Sequence, residues 1–407
     1  MRPGYFYGYS IVGASFVIQA VSIGAMFTYG VFFKEFQADF GWSRATISVA
    51  SSLAFFVMGA VGILAGRLSD RIGPKAIMVV SGISLGLGFM LMSRLQTPWQ
   101  LYLLYGVLAG IGLSTHDVIT LSTVARWFIK RRGMMTGIVK VGTGTGQVLV
   151  PPFAVAIIAA FGWRNAYLIL GTLTLLVLVA AAQVLRRDPQ SIGLLADGGS
   201  HAPGEAGNGP GGGDMPLSAA VRKPQFWIIC IAELVAFSCI FTIIVHIVPH
   251  ATDLGLSLAT AVAVQSTFGG VSMLGRFVMG VAIDRIGGKR SLIICFSIFF
   301  CGFIWLQMAR EAWMLFLFAV IYGLAHGSFF TAVSPTLAEF FGTGSHGLLF
   351  GIVLFSGTIG GAIGPLLAGH TFDMTGSYQM VFLLLSGLAG IGFVLMTLLR
   401  PMEGTES

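Results

Sequence analysis

The sequence predicts an all-α membrane protein of twelve transmembrane helices in two pseudo-symmetric six-helix bundles. Three observations predict it: the composition, the recurrence of apolar runs, and a repeat at constant offset. Of 407 residues, 56% are hydrophobic and only 10% are charged, against roughly 25% charged in soluble domains. Apolar runs recur from end to end, each long enough to cross ~30 Å of hydrocarbon. Finally, Gly66-x-x-x-Asp70-Arg71-Ile72-Gly73 recurs as Gly280-x-x-x-Asp284-Arg285-Ile286-Gly287, an offset of 214 residues.

The first span, 8–33, follows Met1–Tyr9 without a small-residue cleavage site and reads as a retained helix rather than a signal peptide. Spans two (45–66) and three (75–95) flank the Gly66–Gly73 motif. Span four (99–125) holds His116 and Asp117, and spans five (134–160) and six (163–185) meet at Gly162. Span seven (224–250) contains Glu233, His246 and His250, and span eight (257–282) contains Arg276. Spans nine (291–309) and ten (312–340) follow, then span eleven (347–372) with Gly357, Gly360, Gly361 and Gly364, and span twelve (377–400). The same offset pairs Ser43 with Ser257, Trp99 with Trp313, Pro151 with Pro365 and Gly162 with Gly376. Internal repeats of this size in a membrane protein point to alternating access, one half rocking against the other.

The expected organisation is a six-helix bundle over 1–187, a cytoplasmic Gly/Pro-rich linker over 188–222, and a second bundle over 223–407. The linker includes Gly-Asn-Gly-Pro-Gly-Gly-Gly at 207–213, polar sequence that behaves as a flexible tether. A formal charge of +7 does not indicate nucleic acid, because the basic residues sit in short clusters between apolar runs. Sixteen lysines and arginines fall on one side of the membrane; the other has only Lys34, Arg44, Arg94, Arg164 and Arg310. This bias places both termini in the cytoplasm. Cys230, Cys239, Cys295 and Cys301 lie in apolar segments and read as small hydrophobes, not as disulfides or metal ligands.

Two positively charged side chains remain inside spans, Lys140 and Arg276. A buried arginine costs from about 3 to over 10 kcal/mol, so it should have a partner. The repeat mate of Arg276 is Gly62, so the charge exists in one half only. Its planar fork suits a carboxylate held bidentately; the structural alternative is a fixed ion pair with Asp117. Asp117 is also asymmetric, opposite Thr331, and with His116 is a candidate proton carrier or a structural hydrogen-bonding group. Glu233 faces Gln19 across the repeat and Lys140 faces Leu354; each reads as a proton relay or as half of an interhelical salt bridge. His246 and His250 share one face of span seven, and either binds substrate or protons, or packs.

No third metal ligand stands at recognisable spacing, so no metal site is expected. Tyr29, Tyr322, His326 and Ser356 are candidate hydrogen-bonding groups in a mostly apolar pocket, or packing residues. Gly66, Asp70, Arg71, Asp284 and Arg285 form charge-and-turn clusters that can latch one conformation and release in another, or simply anchor the loops. The glycines of span five have no preceding strand and no following Lys-Ser/Thr, which argues against nucleotide binding. No nucleophile–base set or cofactor loop emerges, so neither an enzyme nor a cofactor is expected.

The two motif copies resemble the loop signature of the major facilitator superfamily. Within it, the chain resembles the monocarboxylate porter family along nearly its whole length. The resemblance rests on Gly30-Val31-Phe32-Phe33-Lys34-Glu35, on Arg126-Trp127-Phe128-Ile129-Lys130-Arg131-Arg132-Gly133, and on Pro216-Leu217-Ser218 through Lys223-Pro224-Gln225-Phe226-Trp227. It rests also on His246-x-x-Pro249-His250-Ala251-x-Asp253-x-Gly255 and on Gly275-Arg276. The lead into span seven is similar to that of bacterial members. The resemblance implies proton-coupled symport of a small monocarboxylate such as lactate or pyruvate, with Arg276 as a substrate-binding residue. The expected setting is a bacterial inner membrane and the expected working unit a monomer. The alternative is exchange of a dicarboxylate for a monocarboxylate, which needs further positive charge such as Lys140. The chain departs from the family at two places: Phe27 stands where many animal members have lysine, and Ser272 where they have aspartate.

Overall fold

The structure is a computed structural model that describes residues 6–198 and 215–400. The described residues are almost entirely helical, and eleven helices are long and apolar enough to cross a membrane. One of these, Arg132–Val184, has 53 residues and breaks at Gly162, where φ 78 and ψ 159 leave helical space. It therefore supplies two spans, and the total among the described residues is the expected twelve. We label them α1 (Gly8–Phe40), α2 (Arg44–Ile72), α3 (Pro74–Met92), α4 (Pro98–Trp127), α5 (132–161) and α6 (163–184). The second set is α7 (Pro224–Asp253), α8 (Leu258–Ile286), α9 (Gly288–Met308), α10 (Ala312–Phe341), α11 (His346–Thr375) and α12 (Gln379–Leu398).

The repeat is present in backbone detail. Ser43 and Ser257 cap α2 and α8 identically, each Oγ accepting the N–H three residues on at 3.1 Å; such caps contribute about 1 kcal/mol each. The chain turns sharply at Gly73 (φ 93) and again at its mate Gly287 (φ 79), a conformation that a side chain would strain. Close helix packing repeats too. A Cβ on Gly146 of α5 would lie 2.0 Å from the Ala20 carbonyl of α1, and one on Gly360 of α11 would lie 2.0 Å from that of Leu234 in α7.

The chain forms two compact units. The first contains α1–α6 together with residues 343–351, where α11 begins; the second contains α7–α10, the rest of α11 and α12. In the first, Phe32, Phe36, Trp163 and Tyr167 stack into an aromatic core. At the end of α1, Trp163 Nε1 and Arg164 Nη1 donate to Asp39 Oδ2 (2.9 and 2.7 Å), which holds that carboxyl below the usual range. In the second unit Phe296, Phe299, Phe303, Phe318 and Tyr322 do the equivalent work.

Two details go beyond what the sequence reading described. Span four is not one regular helix: Tyr102–Ala109 is π-helical, and a turn at Ser114–Thr115 starts a fresh helix at His116. The predicted tether is partly ordered. Gln190–Ile192 and Ala196–Gly198 form short 3-10 turns, and Asp197 Oδ2 accepts the N–H groups of Ile129 and Lys130 (3.0 and 2.9 Å). Leu217–Ala220 is a short helix. The glycine run at 207–213 lies outside the described residues.

Candidate functional site

The first unit encloses a cluster of polar side chains around Asp117. The turn at Ser114–Thr115 makes Asp117 a first-turn residue of a helix segment, where the backbone dipole favours a negative charge. Lys140 of α5, only 3% exposed, donates to Asp117 Oδ1 at 2.7 Å. Gln19 Nε2 of α1 donates to the same oxygen at 2.8 Å and to Thr120 Oγ1 at 3.0 Å. Thr143 Oγ1 donates to Gln19 Oε1 at 2.9 Å, which fixes how the amide is turned. Of the two expected roles for Lys140 the structure shows the interhelical salt bridge, and Asp117 finds its partner within its own unit.

The other carboxylate oxygen, Oδ2, stands 3.5 Å from His116 Nε2. His116 Nδ1 is 2.6 Å from the Leu113 carbonyl, so Nδ1 carries the hydrogen and Nε2 is left as an acceptor. Asp117 keeps 13% of its side chain exposed. The arrangement can hold one proton shared between Oδ2 and Nε2, while Oδ1 stays bound to Lys140 and Gln19. Removing either charge of such a pair leaves the other buried and uncompensated.

In the second unit Arg276 is 2% exposed on α8, with Nη1 donating to Ser272 Oγ one turn earlier at 2.9 Å. The helix α10 packs tightly here, since a Cβ on Gly327 would meet the Ser272 carbonyl at 1.9 Å. Glu233 of α7 is 1% exposed, its Cγ against Gly357 of α11. His246 is half-buried and held at both nitrogens: Nδ1 is 3.1 Å from Tyr378 Oη and Nε2 3.0 Å from the Pro365 carbonyl. His250 is buried one turn on, edge-on to Tyr378 and Phe382.

Three residues expected to contact substrate are occupied otherwise. Tyr29 donates to the Ile47 carbonyl (2.7 Å), Tyr322 to that of Ile240 (3.0 Å), and Ser356 to those of Cys230 and Val353 (2.9 and 2.6 Å). Their hydroxyl hydrogens are given to backbone acceptors, the arrangement that the packing alternative for these residues expects. His326 is buried and stacks on Tyr322.

The Asp70 cluster is built differently from its sequence copy. Asp70 is buried and accepts the N–H groups of Gly347 (3.1 Å) and Leu348 (2.9 Å), which are first-turn donors of α11. Its ionic partner is Arg126, which also donates to the Thr343 carbonyl at 3.2 Å; Arg71 is exposed. Gly66 permits the approach, because a Cβ there would lie 2.1 Å from the Gly347 carbonyl. In the second unit Asp284 and Arg285 are exposed, and Glu339 caps the Gly288 N–H at 2.7 Å. Sequence reasoning counted Arg126 among the basic loop residues and in the motif at the entry to span five, and did not pair it with Asp70. Its position in the last turn of α4, facing a mirrored loop, is the signal that marks it.

The profile of the Major Facilitator Superfamily matches residues 15–306 and 247–407. Among similar curated proteins, human Monocarboxylate transporter 11 is 29% identical over 396 residues, covering 94% of this chain and 80% of that protein. Monocarboxylate transporter 13 of Rattus norvegicus is 28% identical, covering 96% and 89%. Among solved structures, the proton:xylose symporter XylE superposes with TM-score 0.74 at 13% identity, over 97% of this chain and 96% of that one. The human organic anion transporter MFSD10 superposes with TM-score 0.70 at 15% identity, over 97% and 100%. Two six-helix units with repeated caps, turns and close contacts, matched by one family profile along nearly their whole length, make this chain a major facilitator superfamily transporter, with monocarboxylate transporters among its homologues.

Proposed function

We propose that this chain moves a small monocarboxylate, lactate- or pyruvate-like, together with a proton by alternating access. It works as a monomer in a bacterial inner membrane, with both termini cytoplasmic. The observation that carries this reading is the buried guanidinium of Arg276, present in one half of the repeat only. A buried guanidinium is costly, and a substrate carboxylate is the group its planar fork fits best. The Asp117–His116 couple supplies the proton site of the first unit, and Glu233 is a second buried carboxylate on α7. Moving a bare anion through the membrane potential exchanges about 2.3 kcal/mol per 100 mV. A proton carried with it removes that term, leaving the concentration gradients in control.

Exchange of a dicarboxylate for a monoacid requires a second cation. Lys140 is the candidate, but its ammonium is neutralised by Asp117 at 2.7 Å, which favours the monocarboxylate reading. The Asp70–Arg126 contact supports a latch that holds the first turn of α11 and releases during the cycle.

The direct test is Arg276→Lys in proteoliposomes with labelled lactate. An ammonium keeps the charge and loses the fork, so uptake should fall at least about tenfold, equivalent to roughly 1.4 kcal/mol, with thermal stability retained. Uptake at the wild-type rate would overturn the role given to Arg276.

A further inference from the structure

Two sets of contacts hold the end of α4. In the first, Arg126 reaches Asp70 and the Thr343 carbonyl, and Asp70 caps the first turn of α11. In the second, the chain that leaves α6 folds back over the same helix end. Trp127, buried, donates its indole N–H to the Arg186 carbonyl (3.1 Å), and Asp197 Oδ2 accepts the N–H groups of Ile129 and Lys130. All of these residues belong to the first unit.

Several features mark the return of the linker as a built contact. Asp197 is the one non-glycine among the described residues with positive φ (57). Such a conformation persists only where the surroundings hold it, and aspartate and asparagine adopt it more readily than other side chains. A Cβ on Gly198 would meet the Phe6 ring at 3.3 Å, and the same ring packs on Trp127 and Phe128. Tyr7 Oη donates to the Val184 carbonyl (2.8 Å), which ties the start of α1 to the end of α6. The other end of the linker is tied at the matching place in the second unit. There the Met215 N–H donates to the Phe341 carbonyl (3.2 Å), and Phe341 is the repeat mate of Trp127.

The return fixes the shape of the turn that follows α4. Phe128 is extended (φ −129, ψ 131), so the Ile129 and Lys130 amides leave the α4 ladder and need outside acceptors. Asp197 serves both with one oxygen; its Oδ1 has no hydrogen-bond partner among the described residues. Arg132 Nε donates to the Ala125 and Phe128 carbonyls (3.1 Å each) and so closes the end of the helix. Arg126 stands in this last turn, between Ala125 and Trp127. A helix end that loses such ties frays, and a frayed turn no longer presents the guanidinium to Asp70.

We propose that the first part of the linker, 188–198, is a clasp on the α4–α5 turn, with Asp197 as a positioning residue that keeps Arg126 on Asp70. Opening the clasp loosens the hold on the first turn of α11. Opening the Asp70 contact loosens the clasp in return, because coupling between two contacts is reciprocal. The inference rests on the Asp70–Arg126 contact and on no substrate or proton.

The test is hydrogen exchange on the full-length protein in nanodiscs, read at Ile129, Lys130, Gly347 and Leu348 and at core amides of α3. Asp197→Gly keeps the backbone conformation accessible and removes the acceptor. Asp197→Asn keeps both, since one oxygen suffices. Asp197→Gly should speed exchange at Gly347 and Leu348 at least about threefold with α3 unchanged, and Asp197→Asn should match the unsubstituted protein. Asp70→Ala should speed Ile129 and Lys130 in the same way. Unchanged exchange at Gly347 and Leu348 in Asp197→Gly would overturn the proposal. So would equal acceleration in α3, or Asp197→Asn behaving as Asp197→Gly does. Lactate uptake by Arg276→Lys is a separate measurement, so the transport reading and this one fail independently.

Discussion

Asp117 and Lys140 define a residue-scale dependence that is open to direct measurement. Their 2.7 Å contact is buried, and Gln19 and Thr143 hold it in place. Removing one charge of a buried pair costs about 3–5 kcal/mol, whereas replacing both by apolar groups of similar size is often neutral. Asp117→Asn should therefore lower the thermal stability of the purified protein by about that amount, and adding Lys140→Met should restore most of it. Additive losses in the double variant would contradict the pairing. The sequence singled out both residues, because each breaks the internal symmetry. It did not show that they meet: they lie on different helices separated by the α4–α5 connection, and Asp117 was offered Arg276 as its structural partner. The backbone partners of Tyr29, Tyr322 and Ser356 were hidden from the sequence for a related reason. A hydroxyl in a pattern looks available until a backbone carbonyl from a neighbouring helix is placed beside it.

At the scale of elements, close approach of paired helices governs stability. The α1–α5 and α7–α11 contacts run through Gly146 and Gly360, with backbone carbonyls where a Cβ would stand. Gly146→Ala and Gly360→Ala should each destabilise by about 1–3 kcal/mol, since a well-packed interface must shift to admit the methyl. Gly13→Ala and Gly30→Ala meet nothing within 4 Å and should stay within about 0.5 kcal/mol or gain slightly from helix propensity. Thermal unfolding of the four variants in one detergent checks the pattern, and equal losses at all four would refute it. Hydropathy located the spans because a bilayer imposes their length. It was blind to the π-helical stretch in α4 and to the turn that restarts the helix at His116, since both conserve apolar composition while changing which way side chains point. The ordered Asp197 turn in the linker was hidden likewise, because a single capping contact leaves no mark on glycine content.

For the whole molecule, the repeat supplies two alike scaffolds, and the residues proposed to carry the chemistry lie where the two differ. The Asp70 loop closes on the first turn of α11, while its copy around Asp284 leaves both charges exposed. Asp70→Ala should release the Gly347 and Leu348 amides, raising their hydrogen-exchange rates at least about tenfold while core amides of α3 and α9 stay protected. Unchanged exchange at those two amides would remove the latch from the account. The central claim is coupling of one proton to one monocarboxylate, and it is tested most directly by flux in proteoliposomes with the membrane potential clamped at zero. An inward lactate gradient should acidify the lumen at the same rate as lactate enters, and Asp117→Asn should break that correspondence. Lactate entry with no accompanying proton movement, or entry that requires a carboxylate on the opposite side, would contradict it.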